Sequence, residues 1–373
     1  MIHHTEEFVS TPGWLALSDG AVFDLEIVAR EPVSAGVLAT GEAVFNTTLT
    51  GYQEVTTDPS YAGQFITFTN PQIGNYGCNP ADNESSRVWA SGVLVRDYSP
   101  IYSNYRASMS LLDLTRQWGV PLASGVDTRA LTRHLRAHGA LGAALGTGSV
   151  AVAREALGQD RTTTGRDLAS GAGRQARFEA GGQGPKIVAL DYGMKDSMLR
   201  ILSESFHVVV LPATASSEEI LAEAPAGVFV SNGPGDPAAV GYSDAQLQGI
   251  IGRQPIFGIC LGHQLLARAI GASTYKLPFG HHGGNHPVSR LSDAVVEITS
   301  QNHNYAVDED SLRAADIRAK VTHRNLNDGV VEGFAIPEAA LISVQYHPEA
   351  APGPHDSYYL FDQFKAMVAD AKA

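Results

Sequence analysis

The sequence predicts a two-domain protein of the α/β class: a β-rich α+β N-terminal half, then a parallel sheet flanked by helices. Three observations carry this prediction. The chain has 373 residues, more than a single domain of roughly 150 residues would hold. Its composition breaks between Gly146 and Pro185, where Gly, Thr, Ser and Gln replace large apolar residues. The hydrophobic patterning differs on the two sides of that break. The expected division is therefore an N-terminal domain over 1–145, a connector over 146–185 with the boundary near residue 180, and a C-terminal domain over 186–373.

In the first half, β-branched and aromatic runs at Trp14–Leu17, Ala21–Ala29, Gly41–Thr48, Gln64–Thr69 and Gly92–Val95 alternate with Gly, Pro, Asp and Asn, the pattern of short strands joined by turns. Two helices are expected, Ser108–Trp118 and the segment after Asp127. In the latter Asp127 caps, Leu131 and Leu135 share a face, and Gly139 stops the helix. AVAREALGQ suggests one short helix inside the connector.

Beyond residue 185 the pattern is βα repetition. KIVALDYG, HVVVLPA and GVFVSNGPG read as strands. KDSMLRILSES and SSEEILAEA read as helices, and PIFGICLGHQLLARAIGA as a strand, a tight turn and a helix. Such repetition implies parallel strands with helices on both faces and a site at the strand ends.

Composition narrows the function. The net charge is −13, which disfavours binding to nucleic acid or anionic lipid. No run of about 18 apolar residues exists, and the first residues lack the charged-then-apolar order of a leader, so neither export nor membrane insertion is expected. Two distant cysteines, Cys78 and Cys260, offer no zinc spacing and fit a reducing cytoplasm.

The sharpest local feature is Gly258-Ile259-Cys260-Leu261-Gly262, between an apolar strand and a helix. Glycines on both sides permit a sharp turn that presents Cys260 outward at a helix N-terminus, where free amides favour a thiolate. A thiolate that cleaves an amide needs a group to protonate the departing nitrogen. Among 13 histidines, His347 in ISVQYHPEA suits best. Glu349 lies two residues on and, in extended chain, on the same side, with Pro348 stiffening the pair. The Leu261 amide and the glycine-rich Ser231–Pro237 loop are candidate oxyanion donors, Gly233 and Gly235 allowing close approach.

SNGPGDP, FGICLGHQ and HPEA, in that order, resemble the class I glutamine amidotransferase domain over residues 186 to about 370. The resemblance implies a catalytic triad of Cys260, His347 and Glu349, with Leu261 and Gln264 contacting the substrate glutamine and Gly233 and Gly235 lining its pocket. Family members hydrolyse glutamine and pass the ammonia to a synthetase.

Phe45–Gly77 and GVDTRALTRHLR are similar to the N-terminal domain of carbamoyl phosphate synthetase small subunits. So are YGMKDSMLRIL, GHHGGNHPV, SQNHNYAVDE and PGPHDS in the second half. In that family a serine of an FNTSMTGYQE-type segment and residues of a QNHGF-type segment help hold glutamine. The matching positions are Thr48, Asn302, Asn304 and Tyr305. The implied partners are L-glutamine and a large subunit carrying ATP and magnesium, with no cofactor on this chain, which lacks GxxxxGK[ST]. An amidotransferase serving another synthetase and a non-catalytic docking or regulatory subunit are the alternatives. His281, His282 and His286 read as a Gly-rich loop without an acidic partner, so no metal is expected. His263 reads as structural, and Cys78 as a packing or surface residue.

Overall fold

The computed structural model of the chain describes residues 4–5, 7–316 and 318–371. It divides into two compact units, Met1–Thr164 and Gly165–Ala373. The division falls within the connector, upstream of residue 180, because the chain from Gly165 onward bonds to the second unit. The Gly165 amide donates to Asp236 Oδ2, and the Asp236 amide donates to the Arg166 carbonyl. The connector's first half carries a helical turn at Ala153–Ala156.

The first unit is built on a closed seven-stranded barrel. Its strands are β1 (Val9–Leu17), β2 (Val22–Ala29), β3 (Gly36–Asn46), β4 (Gln64–Phe68), β5 (Gly92–Leu94), β6 (Leu122–Ser124) and β7 (Leu141–Thr147), in the order β6-β2-β1-β7-β3-β4-β5. Short helices form where the sequence places them, Leu111–Gln117 capped by Ser110 and Thr128–His138 capped by Asp127. A further helix, Tyr52–Thr57, follows the left-handed Gly51.

The second unit holds a ten-stranded sheet. We number its strands β8 (Phe178–Gly181), β9 (Lys186–Asp191), β10 (His207–Pro212), β11 (Val228–Val230), β12 (Ile256–Ile259), β13 (Thr274–Arg290), β14 (Val295–Val307), β15 (Lys320–Asn325), β16 (Val331–Ile336) and β17 (Leu341–Val344). The order is β8-β10-β9-β11-β12-β17-β16-β15-β13-β14. Strands β10, β9, β11, β12 and β17 run parallel, as the βα repetition predicts, whereas β8 and the run from β16 to β14 pair antiparallel.

Strand alternation fills a core on each face. Val188 and Leu190 of β9 pack with Leu265 and Leu266, while Ile187 and Ala189 pack with Met198, Leu202 and Phe364. Phe257 of β12 meets Phe229, Phe361 and Phe364 with ring centroids 5.7, 5.6 and 5.8 Å apart, aromatic contacts that contribute about 0.5–1.5 kcal/mol each. They anchor the strand whose next turn carries Cys260. Among the described residues no helix is long and apolar enough to cross a membrane.

Candidate active site

Four adjacent parallel strands deliver the site from their carboxyl ends. Lys195 follows β9, Gly233 and Gly235 follow β11, Cys260 follows β12, and His347 follows β17. Because β10 and β11 flank β9 on opposite sides, the chain leaves β9 at a reversal of strand order, where open α/β sheets form a crevice.

Cys260 turns β12 into the helix Leu261–Ala269 with φ 54 and ψ −105, a left-handed conformation that costs a residue other than glycine about 1–3 kcal/mol. The flanking glycines make the turn fit. A Cβ on Gly258 would overlap the Leu266 side chain, and one on Gly262 would overlap the Val230 carbonyl. Backbone cannot rotate aside, so Gly262→Ala is expected to destabilise the protein by about 1–3 kcal/mol in urea unfolding; an unshifted midpoint would overturn that account. The thiol is buried, not outward as the sequence predicts, with Sγ 3.5 Å from the Asn302 carbonyl. The Asn302 contact comes from β14, an antiparallel strand that βα repetition does not announce. As the first helical residue, Leu261 has an N–H without an acceptor inside its own helix.

His347 and Glu349 meet as expected, Nδ1 lying 2.7 Å from Oε1, but for a different reason. They follow the end of β17 in a turn rather than in extended chain. The His347 amide bonds to the Ser300 carbonyl and the Ala350 amide closes onto the His347 carbonyl.

Sequence reasoning missed Lys195. Its Nζ lies 2.9 Å from Glu349 Oε1, 2.7 Å from the Ala350 carbonyl and 2.9 Å from the Ala351 carbonyl. The two alanines sit at φ 58 and φ 50, in the left-handed region. Asn232 Oδ1 accepts the Lys195 amide, and Asp191 Oδ1 accepts the amides of Gly193 and Met194, which fixes the turn carrying the lysine.

One carboxylate thus serves two cations in a buried row. Burial opposes ionisation of Glu349, yet Lys195 and then His347 outweigh it and hold the carboxyl down at about 2. Burial likewise opposes charging of His347, but Glu349 and the Cys260 sulfur push the imidazole up to about 10. Stability from a raised group is complete below its unfolded pKa and is lost as pH rises through the folded one. Between pH 6.5 and 10, about the span from a free imidazole to this one, the melting temperature of wild type should fall relative to His347→Asn. Parallel curves would refute the assignment.

Of the other predicted contacts in this unit, Asn302 reaches the thiol through its carbonyl and Gly233 packs beside Leu261. Gln264 Nε2 donates to the Tyr305 carbonyl (2.8 Å) and to Gln345 Oε1 (3.0 Å), tying the helix to β14. Gly233 packs so that a Cβ would overlap the Tyr192 carbonyl and approach Leu261 Cδ2 at 2.9 Å; Gly235, at φ +98, backs onto Arg166 and Leu168. Asn302, Asn304 and Tyr305 are buried. Thr48 belongs to the first unit, where its amide donates to Asn46 Oδ1.

Two expectations outside the triad need correction. His281, His282 and His286 lie on β13, not on a loop, and acidic partners exist. His281 Nε2 is 2.8 Å from Asp328 and its Nδ1 is 3.6 Å from Glu332, with His303 also close. Burial disfavours its charge, but Asp328 and Glu332 prevail and raise it to about 9. His263 is structural as expected: its Nδ1 meets Ser343 Oγ at 2.9 Å, and burial lowers it to about 3. Cys78 is buried, and no disulfide joins the two cysteines.

Comparison with known proteins agrees with this geometry. The family of class-I glutamine amidotransferases matches residues 188–367, and the CPSase domain of the carbamoyl-phosphate synthase small chain matches residues 15–145. A carbamoyl phosphate synthase small chain from Chlorobaculum tepidum is 48% identical over 342 residues, covering 90% of this chain and 93% of the relative. Those of Symbiobacterium thermophilum and Xylella fastidiosa are each 46% identical, covering 94% and 97% of this chain and 97% and 99% of the relatives. With its thiol elbow, its buried His347–Glu349 pair and similarity along nearly its whole length, the chain belongs to the carbamoyl phosphate synthase small chain family and carries a class-I glutamine amidotransferase domain.

Proposed function

We propose that this chain hydrolyses L-glutamine to glutamate and ammonia and delivers the ammonia to a large subunit in the cytoplasm. There ATP, magnesium and bicarbonate would yield carbamoyl phosphate for pyrimidine and arginine synthesis. The observation that carries the reading is the row Lys195–Glu349–His347 beside a thiol held at a strand-to-helix elbow.

The raised imidazole holds the proton it shares with Cys260, so the pair works as thiolate and imidazolium, and the thiolate attacks the carboxamide carbon. The new oxyanion meets the Leu261 amide and the Gly233 loop. As the C–N bond breaks, the imidazolium protonates the nitrogen and ammonia departs, leaving a γ-glutamyl thioester. His347 then takes a proton from water, the hydroxide attacks the thioester, and the thiolate leaves with glutamate released. Glu349 holds the ring in one tautomer throughout. In this reading Gly233, Gly235, Leu261, Gln264, Asn302, Asn304 and Tyr305 hold glutamine, and no cofactor is needed on this chain.

The test is co-purification with a native large subunit followed by a carbamoyl phosphate assay with either nitrogen donor. Synthesis from glutamine as well as from ammonia is expected. A complex that uses ammonia and never glutamine would overturn the reading.

A further inference from the structure

We propose that His282 is a positioning residue for glutamine, clamping Asn302 and Asn304 so that the strand segment against the Cys260 thiol keeps one alignment. The proposal rests on the hydrolytic reading and extends it to a residue outside the triad.

His282 Nδ1 lies 3.0 Å from Asn302 Oδ1, and its Nε2 lies 2.9 Å from Asn304 Oδ1. All three side chains are buried. Residues 302 and 304 share a face of β14 by strand alternation, and an imidazole has polar atoms on two edges, so one ring spans both amides. At each edge the ring either donates to a carboxamide oxygen or, when unprotonated there, accepts from a carboxamide N–H. Whichever holds, it fixes the end of each asparagine that it engages and therefore the end presented to the site.

The backbone is shaped to allow this. His282 pairs with Asn302 in the β13–β14 ladder, and the register slips just before it, between Lys276 and His281. Gly280 sits in that irregularity at φ +70, where a Cβ would overlap Asn304 Oδ1 and lie 2.6 Å from His282 Nε2. Such bulges re-aim side chains next to active sites, and here the bulge clears room for the second contact.

The clamped segment is the one that meets the reactive centre. The Asn302 carbonyl contacts Cys260 Sγ at 3.5 Å, and the Tyr305 carbonyl is held by Gln264. The segment is thus pinned by its backbone at both ends and by His282 through its side chains. Loss of the ring frees the two amides while leaving the backbone pins and the triad in place, so the defect should fall on substrate positioning.

The experiment compares H282A, H282Q and N304G with wild type in the complex with the large subunit. It measures KM and kcat for glutamine, the rate of Cys260 alkylation by iodoacetamide, and melting temperature. H282A is expected to raise KM by about tenfold or more, since small misplacements near a reacting group carry effects of this order, with a smaller change in kcat and alkylation within about twofold. H282Q, which can donate and accept, should recover part of the loss, and N304G should shift KM in the same direction. H282A combined with N304G should lose less than the two separate effects multiplied, because both remove one contact. An unchanged KM in H282A, or KM, kcat, alkylation and melting deteriorating together in both H282A and H282Q, would overturn the proposal. Wild type that turns over no glutamine would sink both readings; active wild type with an indifferent H282A would sink only this one.

Discussion

Cys260→Ser is expected to lower kcat for glutamine hydrolysis by more than about 10³-fold, while the same complex continues to make carbamoyl phosphate from ammonia. The substitution exchanges one small atom at a buried position, and a hydroxyl can still point at the Asn302 carbonyl where the thiol does now. Serine must also adopt φ 54, but the strain is already present with cysteine and is not increased. Fold and docking should therefore survive, and the loss is chemical: an alcohol ionises far less readily than a thiol, and a resting imidazolium beside Glu349 is a poor base toward it. Glutamate release measured beside ammonia-dependent synthesis separates the two. Equal, negligible glutamate release by wild type and variant, with the large subunit present, would make this chain a scaffold instead of a hydrolase.

What could be read in advance divides along contact distance. The elbow was legible because strand, glycines, cysteine and helix are contiguous, and the steric reason for each glycine is local. The pairing of His347 with Glu349 was legible from proximity, although the turn that produces it depends on Ser300, far away in the chain. Lys195 was not legible. It stands 154 residues before Glu349 in YGMKDS, where a lone lysine looks solvent-facing, and it becomes buried only because the strand order places the end of β9 near that of β17. The acidic partners of His281 were hidden in the same way, Asp328 lying 47 residues on in the turn that follows β15. The barrel in the first unit escaped notice for another reason. Its strands gave the right local pattern, but closure needs both parallel and antiparallel neighbours, and alternation does not encode direction.

The buried row also sets the second large effect. Lys195→Met should destabilise the second unit by about 3–5 kcal/mol, because it takes from a fully buried carboxylate the stronger of its two cations, and at ~2–4 °C per kcal/mol the melting temperature should drop by roughly 6–20 °C. Glu349→Gln should cost a similar amount by removing the carboxylate charge that faces the ammonium. The double variant should be less destabilised than the sum of the two, since the lysine–glutamate contact can be lost only once. The pH dependence follows from the lowered carboxyl. Its contribution is complete above the ordinary glutamate range and is lost as pH falls through about 2, so on the acid side wild type should fall toward Glu349→Gln while Glu349→Gln changes less. Strict additivity of the two substitutions, or single losses below about 1 kcal/mol of the kind expected for an exposed pair, would mean that the lysine and the glutamate do not share one electrostatic unit. Catalysis and stability would then be separable at this site, whereas a coupled result makes the same ammonium that holds Glu349 in place responsible for the imidazolium that protonates departing ammonia.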